Sequence, residues 1–315
     1  MDYLAFYGLE SEPFSNAPVD RFYYDSAQHS QALVRLRFAM SAMKGLALCV
    51  GEIGAGKTTL ARRLLDSLDE REYEAALLVI LHRDITSEWL LRRIAFQLGV
   101  ETPSKDKLVL LSQLYRRLLE IYESGRKAVV LIDEAQMLES RDLMEEFRGL
   151  LNLEVPERKL LSFVFFGLPE IDQNLRLDPP LLQRMALRVK LSPFDLPSTD
   201  AYVRHRLRMA GARRVIFEPE AMEVIHRASG GVPRLVNTIC DNALLEGALA
   251  SDEIIDEDLV TLVAENLGLS LGPVAPSSIP TRIPTDEGPS TLPRTEVDVA
   301  LDEIDQVLQS LNKLA

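Results

Sequence analysis

The sequence predicts an α/β protein: a parallel five-stranded sheet followed by a smaller, all-helical part. Three observations predict it. Short apolar runs alternate with helical patterns from residue 46 to 191. A glycine-rich loop, Gly51-Glu52-Ile53-Gly54-Ala55-Gly56-Lys57-Thr58, separates the first apolar run from the helical pattern behind it. From about residue 198 onward the apolar residues recur only at three- and four-residue spacing. Alternation of strand and helix implies a parallel sheet, because parallel neighbours need a long crossover between them.

Strands are predicted at 46–50, 75–81, 128–132, 161–166 and 187–191. They are rich in Leu and β-branched residues and barely alternate, as strands buried on both faces do. Helices are predicted between them at 58–69, 86–98, 107–123 and 141–152. The helical part has patterns at 198–210, 219–229, 233–249 and 256–267, with Pro219 and Pro233 where a helix can start. Residues 268–295 hold six prolines among Ser, Thr and Gly, the composition of an extended linker. In 296–315, Val297, Ala300, Leu301, Ile304, Val307, Leu308, Leu311 and Leu314 form one helical stripe, opposite Asp298, Asp302, Glu303 and Asp305. That helix can dock on its own body or bind a protein partner, and the reach of the linker favours the partner. The expected division is therefore a core at 1–195 with an aromatic N-terminal arm, a helical lid at 196–267, a linker at 268–295 and an acidic amphipathic helix at 296–315.

With 315 residues, 47% of them hydrophobic, the chain can bury a sizeable core. A net charge of −13 argues against a broad nucleic-acid surface, since phosphate backbones attract basic faces. Cys49 and Cys240 stand far apart in apolar contexts and read as small buried hydrophobes, which fits a reducing compartment. No apolar run approaches the roughly 18 residues of a membrane span. The start, Met1-Asp2-Tyr3, lacks the basic and apolar segments of a signal peptide, so a cytoplasmic location is expected, with any recruitment to the inner membrane through a partner. His29, His82, His205 and His226 are scattered without metal-ligand spacing. Trp89 is expected to pack. Tyr3, Phe6, Tyr7, Phe14, Phe22, Tyr23 and Tyr24 crowd the N-terminus and are expected to cover the sheet, with adenine stacking by one of them as the alternative.

The glycine loop matches the phosphate-loop pattern G-x-x-x-x-G-K-[ST] at every fixed position. A strand feeding such a loop and then a helix aims several backbone N–H groups at one point, with the positive end of the helix dipole behind them. Lys57 would reach the β- and γ-phosphates of ATP, and the Thr58 hydroxyl would ligate Mg²⁺. Gly51, Glu52, Ile53, Gly54, Ala55, Gly56, Lys57, Thr58 and Thr59 are thus the candidate nucleotide-binding residues. The apolar strand at 128–132 ends in Asp133 and Glu134. Asp133 suits the Mg²⁺ shell, and Glu134 suits polarisation of the attacking water. Hydrolysis also needs positive charge on the γ-phosphate. Arg184 is the candidate finger into a neighbouring subunit's nucleotide, with Arg188 as its alternate. Arg234, just behind the Gly230-Gly231-Val232-Pro233 turn, is the candidate from the lid.

Several runs resemble the general secretion pathway protein A (ExeA-type) family of AAA+ ATPases. They are Phe6-Tyr7-Gly8-Leu9 with Pro13-Phe14, Phe22-Tyr23-Tyr24-Asp25-Ser26 with His29, and Asp133-Glu134-Ala135-Gln136. The likeness continues through Gly167-Leu168-Pro169-Glu170, Gln183-Arg184, Tyr202, His205-Arg206-Leu207 and Ser229-Gly230-Gly231-Val232-Pro233-Arg234-Leu235-Val236-Asn237, and spans 1–267. Exosortase-locus ATPases and transposition helper ATPases are similar too. The resemblance implies an oligomeric P-loop AAA+ module with a helical lid and nucleotide at subunit interfaces. It assigns Arg234 the sensor-2 role and Arg184 the finger role. Two departures stand out. Leu168 occupies a position usually polar in such proteins. A proline linker and acidic helix stand where secretion members often carry a membrane span and a peptidoglycan-binding domain. The leading expectation is an Mg²⁺-dependent ATP hydrolase, homo-oligomeric, that remodels or positions a protein partner in secretion-system or envelope assembly. The alternative is a DNA-associated helper ATPase of the transposition type, against which the acidic charge weighs. A non-hydrolysing scaffold is disfavoured by Lys57, Asp133 and Glu134.

Overall fold

The computed structural model describes residues 2–17, 19–156 and 158–271. The expected helix at 296–315 and all of the expected linker beyond residue 271 lie outside the described residues.

Helix α1 (Tyr3–Tyr7) starts at Asp2, whose carboxylate accepts the Leu4 N–H at 3.0 Å. Helix α2 (Ala27–Ser41) starts at Ser26, whose hydroxyl accepts the His29 N–H. The sequence reading has no helix here, yet Ala32, Leu36, Ala39 and Met40 recur at helical spacing and all four are buried. Strand β1 (Leu46–Gly51) leads through the glycine loop into helix α3 (Lys57–Asp66). Then come β2 (Tyr73–Val79), α4 (Ser87–Gln97), α5 (Lys107–Glu123) and β3 (Lys127–Asp133). Helix α6 (Arg141–Leu150), the two-residue strands β4 (Glu154–Val155) and β5 (Arg158–Lys159), and β6 (Leu161–Gly167) follow. Two short helices, α7 (Ile171–Leu175) and α8 (Pro179–Leu182), precede β7 (Met185–Leu191).

The main sheet has five strands in the order β2-β3-β6-β1-β7, every neighbouring pair parallel. Side chains alternate between its faces. Leu46, Leu48, Val50, Phe163 and Phe165 join the core under α4, α5 and α6. Ala47, Cys49, Val164 and Phe166 join the core under α2 and α3. Helices cover both faces, so nearly every strand position is apolar. Strand β2 sits two residues earlier than predicted. Val79 pairs with Asp133, the last residue of β3, so Leu81 has no ladder partner and is 81% exposed. Trp89 does not pack as expected and is 43% exposed on α4.

Helices α9 (Leu196–Met209), α10 (Pro219–Ser229), α11 (Pro233–Ala250) and α12 (Glu257–Asn266) form the helical part around a hydrophobic cluster of their own. The aromatic arm packs into this cluster and does not cover the sheet. Tyr7, Phe14 and Phe22 are buried with Phe194, Tyr202 and Phe217. The reason is space: α2 and α3 already occupy the sheet face the arm would cover. A glycine seats the turn between α10 and α11 against the segment that follows β7. Gly231 has φ +73°, its N–H donates to the His226 carbonyl of α10 at 3.2 Å, and a Cβ there would lie 2.0 Å from the Phe194 carbonyl oxygen. The Phe194 N–H in turn donates to the Gly231 oxygen at 2.8 Å. Only glycine fits that approach. Among the described residues no helix is long and apolar enough to cross a membrane.

Candidate functional site

The C-terminal ends of β1, β3 and β6 meet at one edge of the sheet, where open parallel sheets place their ligands. The loop after β1 turns sharply at Gly54 (φ +80°) and Gly56 (φ +92°). Both glycines also leave room that a side chain would fill. A Cβ on Gly54 would stand 2.6 Å from Arg234 Cβ, and one on Gly56 would stand 2.9 Å from His29 Nε2. Helix α3 begins at Gly56 with no side chain capping its N-terminus. Its first-turn N–H groups, Lys57 to Thr59, therefore lack intrahelical partners.

Lys57 is buried, and its Nζ donates to the Gly51 and Glu52 carbonyls at 2.8 and 2.9 Å. Burial pulls its pKa down, opposed by the nearby Glu134 and Asp133 carboxylates. The Thr58 hydroxyl donates to Asp133 Oδ2 at 2.7 Å. Asp133 is 1% exposed. Burial pushes its pKa up, while the Thr58 hydroxyl and the Glu134 N–H hold it down. That N–H donates to Asp133 Oδ1 at 2.9 Å. Glu134 itself adopts left-handed backbone, φ 56°, uncommon for a residue with a side chain. A lysine, a hydroxyl and two carboxylates thus converge from sequence positions about 75 residues apart.

A cleft of about 500 Å³ opens over this group, within the size range of small-ligand sites. Lys57, Thr58, Thr59, Glu134 and Arg234 line it together with Phe22, Tyr23 and Tyr24 of the arm. Arg234, in the first turn of α11, is exposed, and its N–H approaches the Gly54 carbonyl at 3.4 Å. The donor set fits a Mg²⁺–nucleotide: uncapped amides, an ammonium, a hydroxyl and an acid at the cleft floor, and a guanidinium at its rim.

The structure does not bring Arg184 to this cluster. Arg184 precedes β7, whose first residue pairs with Leu46 and whose last pairs with Gly51. Six residues of strand at roughly 3.3 Å each put Arg184 about 20 Å from the glycine loop. Its guanidinium donates to the Arg148 carbonyl at 3.1 Å. Arg188 pairs with Asp172.

Three contributors escaped the sequence reading. His29 is buried under the loop, its Nδ1 2.7 Å from the Ser26 hydroxyl, and burial pulls its pKa down. Arg206, also buried, ties the arm to the helical part. It donates to the Pro13 and Ser15 carbonyls at 2.5 and 2.9 Å and to the Tyr202 hydroxyl at 2.7 Å. Tyr202 donates on to Asn237, whose amide reaches Asn16. Gln136 bridges Glu134 and the end of β6. The family-like runs contained His29, Arg206, Asn237 and Gln136, but nothing local in the sequence joins them to the glycine loop.

The family described as AAA domain matches residues 41–175, from just before β1 to the end of α7. Over that stretch the chain carries an AAA domain. It is 40% identical over 271 residues to general secretion pathway protein A of Aeromonas hydrophila, a stretch covering 85% of this chain and 49% of that protein. The chain therefore spans about half the length of that relative. The AAA fold is shared with the Aeropyrum pernix ORC2 protein, solved in ADPNP-ADP complexes, at TM-score 0.62 and 16% identity, over 81% of this chain and 71% of that one. It is shared also with Drosophila ORC bound to DNA, at TM-score 0.61 and 19% identity, over 82% and 65% of the two chains. The likeness to that secretion protein thus covers far more of the chain than the AAA domain match.

Proposed function

We propose that this chain binds ATP with Mg²⁺ and hydrolyses it, using the cycle to remodel or position a protein partner. The observation that carries the reading is the bond between Thr58 and Asp133 beside Lys57, at the mouth of an uncapped helix. In this reading the amides of residues 51–59 and the Lys57 ammonium hold the phosphates. Thr58 and Asp133 hold Mg²⁺, which supplies positive charge to the phosphates when bound. Glu134 accepts a proton from the attacking water, and Arg234 reaches the phosphates from the rim. Arg184 serves a neighbouring copy, because its own cleft is a strand's length away; the working form is then a homo-oligomer. Residues 196–267 act as a lid moving against the core of 1–195. The partner is engaged through residues 296–315 at the end of the linker 268–295, from a cytoplasmic location.

Likeness to general secretion pathway protein A supports a place in secretion-system or envelope assembly. A DNA-associated helper ATPase is the second reading, favoured by one structural neighbour's being an ORC bound to DNA. The net charge of −13 weighs against it. The experiment is phosphate release from ATP by the purified chain, with and without Mg²⁺, and with and without DNA. Mg²⁺-dependent release that ignores DNA supports the first reading. Salt-sensitive DNA binding with stimulated release supports the second, and no release under either condition refutes both.

A further inference from the structure

The loop after β3 contains a buried polar bridge that the hydrolysis scheme leaves unused. Gln136 is 6% exposed and uses both ends of its side-chain amide. Its Oε1 accepts the Leu168 N–H at 3.0 Å, and its Nε2 donates to Glu134 Oε2 at 2.5 Å. The partners fix which way the amide faces: a backbone N–H only donates and a carboxylate only accepts. The bridge is braced on its other side. The Gln136 carbonyl accepts from Asn174 Nδ2 of α7 at 2.8 Å. Gly167 makes the approach possible, since a Cβ there would lie 3.1 Å from Gln136 Oε1. Leu168 has no polar side chain, so the end of β6 offers its neighbours only a backbone amide, and Gln136 takes it.

We propose that Gln136 is the positioning residue for Glu134, linking the carboxylate to the end of β6. The proposal rests on the reading of Glu134 as the proton acceptor. One carboxylate oxygen is pinned by the glutamine, and the other accepts no hydrogen bond among the described residues, which leaves it for water. A carboxylate held at one oxygen keeps its aim, and misplacement by about 1 Å costs on the order of a hundredfold in rate. The end of β6 thereby acts on the acid through Gln136, with no contribution from the Leu168 side chain.

The test uses the full chain with Gln136→Glu and Gln136→Ala. Gln136→Glu keeps the shape and the acceptor for the Leu168 N–H but loses the donor to Glu134; Gln136→Ala loses both without adding charge. Three quantities are read: kcat and KM for ATP, the Kd of a fluorescent non-hydrolysable ATP analogue, and the melting temperature. In both variants kcat is expected to fall about 10- to 100-fold, with KM and Kd within about twofold of the parent. In a Glu134→Gln background, Gln136→Glu should change kcat no further, because both act through one carboxylate. Parental kcat in Gln136→Glu overturns the proposal. So does a kcat loss matched by an equal loss of analogue affinity, or full additivity with Glu134→Gln. If Glu134→Gln itself turns over normally, the proton-acceptor reading falls and this proposal with it. If Glu134→Gln is inactive and Gln136→Glu is not, this proposal alone falls.

Discussion

The two walls of the cleft are held by different forces. The sheet wall has an apolar interior: Ala47, Leu48, Cys49, Leu131, Ile132 and Phe165 are all fully buried, Asp133 ends one of those strands with Glu134 next to it, and Lys57 follows another through the glycine loop. The helical wall has an apolar centre of its own, but it meets the sheet wall through polar and close backbone contacts. The Arg234 N–H reaches the Gly54 carbonyl across that junction, while Arg206, gathering carbonyls of the arm, and Gly231, fitted under Phe194, brace the helical wall itself. Packed strands resist displacement, whereas a junction of a few hydrogen bonds can re-form in a second arrangement. The acids therefore stand on the packed wall, and Arg234 stands on the wall joined to it by hydrogen bonds.

This contrast can be broken from either side. Glu134→Gln carries the largest expected effect. It removes the proton acceptor without altering shape, so turnover should drop by about 10²- to 10⁴-fold while analogue affinity is kept, as read by steady-state phosphate release beside equilibrium binding. Arg206→Ala should strike the helical wall. It strands the Pro13 and Ser15 carbonyls and removes the cation over the Phe22 ring, so chemical denaturation should report a loss of about 3 kcal/mol. Limited proteolysis should then cut first in the arm. Gly231→Ala should cost about 2 kcal/mol, from left-handed backbone and the clash with Phe194, with little change inside the sheet core by hydrogen exchange.

A pH effect is the smallest of the set. Burial lowers the pKa of His29, His205 and His226, so the folded state favours the neutral ring in each. Their contribution to stability is complete above the unfolded value of about 6.5 and is lost as pH falls below it. Two of the three stand on the helical wall, and the melting temperature should fall as pH drops below about 6.5. Replacing His205 and His226 with Gln should flatten that slope.

How much of this was legible follows from how local each feature is. The glycine loop, Lys57 and Thr58 are contiguous, and the acids close one apolar strand, so pattern and spacing exposed them. The five strands were legible because burial on both faces leaves unbroken apolar runs. Helix α2 is equally readable from Ser26 and the spacing of Ala32, Leu36 and Met40, but it directly follows the aromatic cluster, which has no helical period. That cluster announced burial without saying against what: aromatic residues without periodicity give no direction. The two-residue strands β4 and β5 are too short for any period. The bonds of Arg206 to Pro13 and of Gln136 to Leu168 were invisible as contacts, since those partners lie 193 and 32 residues away.

Everything proposed for this chain depends on the nucleotide grip of the glycine loop. The most direct measurement is equilibrium binding of a fluorescent ATP analogue with Mg²⁺ to the full chain and to Lys57→Ala. Saturable binding by the parent, weakened about 10- to 100-fold by Lys57→Ala while the fold is retained by circular dichroism, is the predicted result. Equal affinity in both proteins, or no binding by the parent at any protein concentration, would contradict it.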